Sequence, residues 1–255
     1  MSKSREMLMN IFNINKRILD TAEAVEREII DKFRYLDDIK TFNQYKVLKA
    51  MQNNRLSDIH FNWNTGYGYN DIGRETLEKV YSDVFNTEDA IVRPIIVSGT
   101  HALTLCLTGI LRPGDELISA TSNPYDTIEE VIGNKNKTGS SLKDFGIEYN
   151  QIELLPDGEV DIDTLIKNIT TKTKMVYIQR STGYGWRKAL TIKDIKKIIE
   201  SVKQVKNDII CMVDNCYGEF LETMEPTDVG ADIMAGSLIK NPGGGLALTG
   251  GYIVG

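Results

Sequence analysis

Apolar positions along the chain change their spacing once, near residue 90. Before it they recur in steps of three and four. Ile18, Ala22, Val25, Ile29, Phe33 and Leu36 form one stripe, which predicts an amphipathic helix over residues 15–37. A second helix is predicted over 40–52 and a third over 74–86. A helical arm of this kind serves contacts between subunits or packs on the domain that follows. The segment FNWNTGYGYNDIGR at 61–74 alternates Asn, Gly and aromatic residues without a period, and predicts an ordered loop. After residue 90, apolar runs of strand length stand at 91–97, 116–119, 147–153, 175–179, 209–213, 232–235 and 251–254. Helical patterns lie between several of them. Residues 100–111 are apolar almost all round and predict a buried helix. Ile192, Ile195, Ile198, Ile199, Val202 and Val205 share a stripe, and Thr191 with Asp194 resembles a capping box that opens it.

Strands that alternate with helices imply an α/β domain whose mostly parallel sheet is covered on both faces. Such a sheet binds ligands outside the carboxyl ends of its strands, so chemistry is sought just after each apolar run. Residues 1–60 are read as a helical arm and 61–255 as the main domain. The chain carries no internal repeat and no low-complexity tract.

Composition narrows the class. Of 255 residues, 41% are hydrophobic and 26% charged, ordinary values for a globular chain. A net charge of −6 and a pI near 5.1 argue against a nucleic-acid partner, which usually presents a basic patch. The polar start MSKSREMLMN lacks the apolar core of a signal peptide, and no stretch approaches the ~20 apolar residues of a membrane span. The expectation is a soluble, cytoplasmic protein. Cys106, Cys211 and Cys216 are too few and too irregular for a disulfide framework, and read as buried free thiols. With only His60 and His101 available, no zinc site is expected.

Four strand ends carry candidate chemistry. Ser98-Gly99-Thr100 opens the buried helix, where free backbone N–H groups and the helix dipole favour a phosphate; a simple cap is the alternative. After the next strand, Pro124 fixes a turn and Tyr125 is placed to lie on a flat ring or to pack. Arg180 to Tyr184 form a polar loop suited to substrate or cofactor contacts, or simply solvated. The run IICMV leads into Asp214, a carboxylate that is costly to bury unless a positive group meets it. A protonated pyridine nitrogen would do so, and would make a bound pyridoxal ring an electron sink. After one further strand stands Ser237-Leu238-Ile239-Lys240. A partly desolvated lysine close to a cationic ring has a lowered pKa, can form an imine with an aldehyde and can move protons. Ser237 could donate to the phosphate. The order of these features, more than any one of them, points to pyridoxal 5'-phosphate (PLP). Gly243-Gly244-Gly245 is followed by no Gly-Lys-Ser/Thr, so it reads as backbone freedom beside the lysine and not as a nucleotide loop.

The segments TGYGYNDIGRETLEKVY, VRPIIVSGTHAL, LRPGDEL, VDNCYGEF and GSLIKNPGGGLALTGGYI resemble the fold type I PLP enzymes of cysteine and methionine metabolism. The branch of aluminium-resistance or methionine gamma-lyase-like proteins is the nearest likeness, over about residues 15–255. The resemblance implies Lys240 as the Schiff-base lysine and Asp214 as the partner of the pyridine nitrogen. It implies Gly99, Thr100 and Ser237 as phosphate contacts and Tyr125 as the stacking aromatic. Tyr67 and Arg74 correspond to a Tyr and an Arg that a neighbouring subunit lends to the phosphate, although their spacing departs from the usual Tyr-x-Arg. A homodimer or homotetramer with shared sites is therefore expected.

The implied reaction is elimination on a sulfur amino acid of the cystathionine or methionine type. An aminotransferase on the same scaffold is the enzymatic alternative. Members of the family continue beyond the lysine region into a small C-terminal domain that carries an arginine for the substrate carboxylate. This sequence stops at Gly255, so a truncated, inactive remnant is the non-enzymatic alternative.

Overall fold

Side-chain alternation along the strands divides the core in two. The computed structural model describes residues 3–64, 71–135 and 139–255. Seven strands are formed: β1 (Ala90–Arg93), β2 (Glu116–Ser119), β3 (Glu148–Gln151), β4 (Thr173–Gln179), β5 (Ile210–Asp214), β6 (Ile233–Ser237) and β7 (Gly251–Val254). Seven α-helices accompany them: α1 (Lys3–Asn10), α2 (Lys16–Asn53), α3 (Ile72–Phe85), α4 (Gly99–Ile110), α5 (Asp126–Ile132), α6 (Ile162–Asn168) and α7 (Ile192–Val205). Leu117, Met175, Tyr177, Met212 and Ala235 share one core with α4 and α5. Their chain neighbours Ile118, Val176, Ile178, Cys211, Val213 and Met234 share the other with α3, α6 and α7. A period of two, buried on both sides, is what helices on both faces of a sheet require.

The strands lie in the order β1-β7-β6-β5-β4-β2-β3. The β6-β5-β4-β2-β3 pairings are parallel, while β7 runs antiparallel to both β1 and β6. The expected mostly parallel α/β sheet is present. β2 is flanked by β3 and β4, so the chain leaves it in opposite directions. A crevice opens at such a reversal, above the carboxyl ends of the strands.

Two predicted bounds move for clear reasons. The run 91–97 is a strand only to Arg93, because Pro94 has no N–H to continue a ladder. The helices expected over 15–37 and 40–52 are one, α2, since residues 36–41 contain neither Gly nor Pro to stop it. The capping box at Thr191 and Asp194 forms as expected, and Ile192, Ile195, Ile198, Ile199 and Val202 are buried beneath it. Val205 of the same stripe stays exposed.

The chain divides into two compact units, 1–44 and 45–255. In the first, Arg5 pairs with Asp20 and Glu23, and Ile18, Val25, Phe33 and Leu36 remain exposed. The second contains the sheet. Among the described residues, no helix is long and apolar enough to cross a membrane.

Candidate active site

Alternation also aims the chemistry. Tyr177, Asp214 and Ser237 continue the strand positions that face α4, two residues on from Met175, Met212 and Ala235. The N-terminus of α4 therefore stands over them. Ser98 caps it, its Oγ accepting from His101 N at 3.1 Å. Gly99 and Thr100 lie in the first turn, where N–H groups have no acceptor within the helix. A Cβ on Gly99 would come within 3.0 Å of Cys216 Sγ and 3.3 Å of Ser237 Cβ, a fit so tight that either neighbour would have to give way by a few tenths of an ångström. The ends of β5 and β6 and the start of α4 thus meet at Cys216.

Asp214 ends β5 and is 4% exposed. Its Oδ1 accepts from Cys216 N and its Oδ2 from Tyr177 Oη, both at 3.0 Å. No cation lies within ion-pair distance of it among the described residues. Burial pushes its pKa above the ordinary carboxylate value, against the pull of the Cys216 N–H and thiol, Lys240 and the Tyr177 hydroxyl. Lys240 is half-buried after β6, with Nζ 4.2 Å from the centre of the Tyr217 ring. Burial pulls Lys240 down, but Cys216, Asp214 and Tyr217 push it up, and the balance lies above its ordinary value. The lowering expected for this lysine is reversed, because Cys216, ahead of Asp214 and Tyr217, outweighs burial. Burial and nearby Asp214 raise the Cys216 thiol, which stays protonated at neutral pH.

Tyr125 follows β2. Its N–H donates to Gln179 Oε1 at 2.7 Å, and its ring stacks on exposed Tyr184 at 5.1 Å with hydroxyls 2.8 Å apart. That hydrogen bond, with some burial, pushes the Tyr125 hydroxyl up to about 12. Tyr125 and Arg187 line a cavity of about 380 Å³ at the β2/β4 crevice, with Pro124, Gln179 and Trp186. Arg187 donates to the carbonyls of Gln179, Ser181 and Thr182 and feels the charge of Asp214, which puts this cavity beside the site. Thr100 Oγ1 is 2.7 Å from Thr127 Oγ1, linking the α4 turn to α5.

One expected residue stands apart. Arg74 begins α3, its N–H bonded to Asp71 Oδ1 at 3.0 Å and its guanidinium 3.8 Å from Asp71 Oδ2, next to Arg93. No described contact joins it to Lys240 or Asp214. Tyr67 lies outside the described residues. Arg180, expected in a loop open to substrate or solvent, is instead 3% exposed. It donates to Asn215 Oδ1, Gly218 O and Glu222 Oε1 and sits 3.6 Å from Glu225. It stands one residue past β4 and two on from Ile178, on the face away from α4, so it braces the far side of the strand ends.

Reading the sequence missed Cys216 as the hub, Tyr217 and Tyr177. Tyr177 had a signal, since it shares the face and the pairing of Asp214. The other two stand in the turn after β5, whose direction no periodicity shows.

The family model for methionine gamma-lyase matches residues 18–255. The chain belongs to the methionine gamma-lyase family. Among curated relatives of this family, a Bacillus subtilis protein called YnbB is 52% identical over 236 residues, covering 92% of this chain and 56% of the relative. A solved Clostridium novyi structure, called a carbon–sulfur lyase involved in aluminium resistance, superposes with a TM-score of 0.94 at 52% identity, over 100% of this chain and 61% of its own. The chain therefore spans somewhat over half the length of these relatives. A Campylobacter jejuni structure that holds N'-pyridoxyl-lysine-5'-monophosphate shares the fold at 23% identity and a TM-score of 0.54, over 72% of this chain and 40% of its own.

One buried group near the site sets a pH dependence. Glu219 is 0% exposed; its Oε1 accepts from Tyr252 Oη at 2.7 Å and its Oε2 has no partner. Burial raises it from 4.5 to about 7. The folded state thus holds this proton longer than the unfolded state. Its contribution is complete below pH about 4.5 and lost as pH rises through about 7, a difference of about 3 kcal/mol. Urea melts of Glu219→Gln should show a shallower fall in stability between those pH values than the parent. Parallel curves for the two proteins would contradict this.

Proposed function

We propose that this chain forms the PLP-binding part of a carbon–sulfur lyase that acts by elimination on a sulfur amino acid of the cystathionine or methionine type. One observation carries the reading. A half-buried lysine and a buried carboxylate with no ion-pair partner converge on Cys216 beside the Gly99 turn. That donor set suits PLP. Asp214 is a buried anion still in want of a cation, Lys240 is an amine near it, and the α4 terminus offers N–H groups to a phosphate.

PLP, when bound, supplies an electron sink for charge leaving the substrate Cα. Asp214 is read as the group that keeps the ring nitrogen protonated, a role that burial strengthens. Lys240 is read as the amine that would hold the aldehyde and, once the substrate's amino group has displaced it, would be free to take the Cα proton at Nζ. Gly99, Thr100 and Ser237 are assigned to the phosphate and Tyr125 to the ring face. Loss of the thiol and hydrolysis then release a keto acid and ammonia. Family membership and the name of the Clostridium neighbour favour this outcome over amino-group transfer.

The purified protein mixed with PLP should gain the absorbance band of a lysine-bound cofactor, and borohydride should fix it to Lys240. Lys240→Ala should lose both the band and the label. Asp214→Asn should keep the label while turnover of cystathionine or methionine to keto acid and ammonia falls about 100-fold or more. An unchanged spectrum in Lys240→Ala would remove the assignment.

Arg74 and Tyr67 are read as phosphate contacts offered to a second copy of the chain. Sedimentation should then show a dimer or tetramer. Arg74→Ala should lose PLP on dialysis faster than the parent while keeping its oligomeric state. Equal retention would rule out this role for Arg74.

A further inference from the structure

Tyr217 sits where a side chain is disfavoured. Its φ is 68°, the left-handed region that suits glycine. The position nevertheless carries a large ring, 60% exposed, so burial does not account for it. The ring centre lies 4.2 Å from Lys240 Nζ. The turn is tied to the lysine loop next to that contact. Asn241, the residue after Lys240, donates from Nδ2 to Tyr217 O at 3.3 Å and to Glu219 O at 2.9 Å. The backbone is thus held in an unfavourable conformation that brings an aromatic face against one amine.

An aromatic face attracts a cation and has no comparable hold on a neutral amine. Lys240 is neutral when it attacks an aldehyde and charged once it has taken a proton. Three groups face its Nζ: Asp214 and Cys216 from the end of β5, and Tyr217 from the turn. Cys216 is a protonated thiol, and in the reading above the charge of Asp214 is engaged by the ring nitrogen. That leaves Tyr217 to stabilise the ammonium. We propose that Tyr217 is a positioning residue whose ring face holds Lys240 in its ammonium form and so favours proton uptake at Nζ during the reaction. The inference rests on the reading of Lys240 as the PLP lysine.

The test is the pH dependence of the rate at which the full-length protein captures PLP, with borohydride trapping and peptide mapping of the label. Tyr217→Gly removes the ring at a φ that glycine adopts freely, so the turn is retained. Tyr217→Phe keeps the ring and removes the hydroxyl. The glycine variant should show its midpoint about 0.5–1 pH unit below the parent, and the phenylalanine variant should match the parent. A glycine variant with the parent midpoint and the label still on Lys240 overturns the role of Tyr217 alone. So does a phenylalanine variant that shifts as far as glycine. A parent label that maps away from Lys240 overturns the cofactor assignment itself, and this inference with it.

Discussion

A carboxylate that ends the central strand of a buried sheet must meet a positive charge or keep its proton. Asp214 is in that position. β5 has three strands on either side, and both neighbours, β4 and β6, shield its end. Two neutral donors hold the carboxylate oxygens in place, and burial still lifts the pKa. A ligand that brings a cation to this point gains from a desolvation cost the fold has already met. The other candidate features lie around Asp214: the lysine just after the next strand, the open N-terminus of α4 above, and the crevice beside β2 and β4.

The opposite face of the same strand ends makes the contrast clear. Glu225 is as deeply buried as Asp214, and burial raises it likewise. Its oxygens, however, accept from Phe220 N and Asn215 Nδ2, with Arg180 3.6 Å away and the charge of Lys46 acting on it. That carboxylate is compensated by the protein itself, and serves to lock the turn after β5. Asp214 on the α4 face has no cation within ion-pair distance among the described residues, and the charge of Lys240 acts on it from further off. Asn215 joins the two systems, so the structural face fixes the direction from which the functional face is presented.

The architecture was largely legible from periodicity. ELIS at 116–119 and the run at 251–254 are strands at their expected bounds, because each is a short apolar run between turn residues. The antiparallel direction of β7 was not legible, since direction depends on where a loop returns and not on side-chain pattern. Lys240, Asp214, Gly99 and Ser237 could be picked out because they end strands or stand shortly after them, and a sheet of this class gathers strand ends. Cys216 and Tyr217 could not. A thiol near the end of an apolar run reads as core, and a tyrosine in a turn reads as surface, until three chain segments are seen to meet there. Arg180 misled for the converse reason: a charged residue in a polar segment after a strand looked open, but alternation turned it inward, onto Glu225.

The most direct measurement is a crystal structure of the protein grown with PLP. The account predicts density continuous from Lys240 Nζ into the cofactor, with an Asp214 oxygen about 3 Å from the pyridine nitrogen. A cofactor joined to Lys240 whose ring nitrogen points away from Asp214, or a cofactor bound elsewhere on the chain, would contradict it.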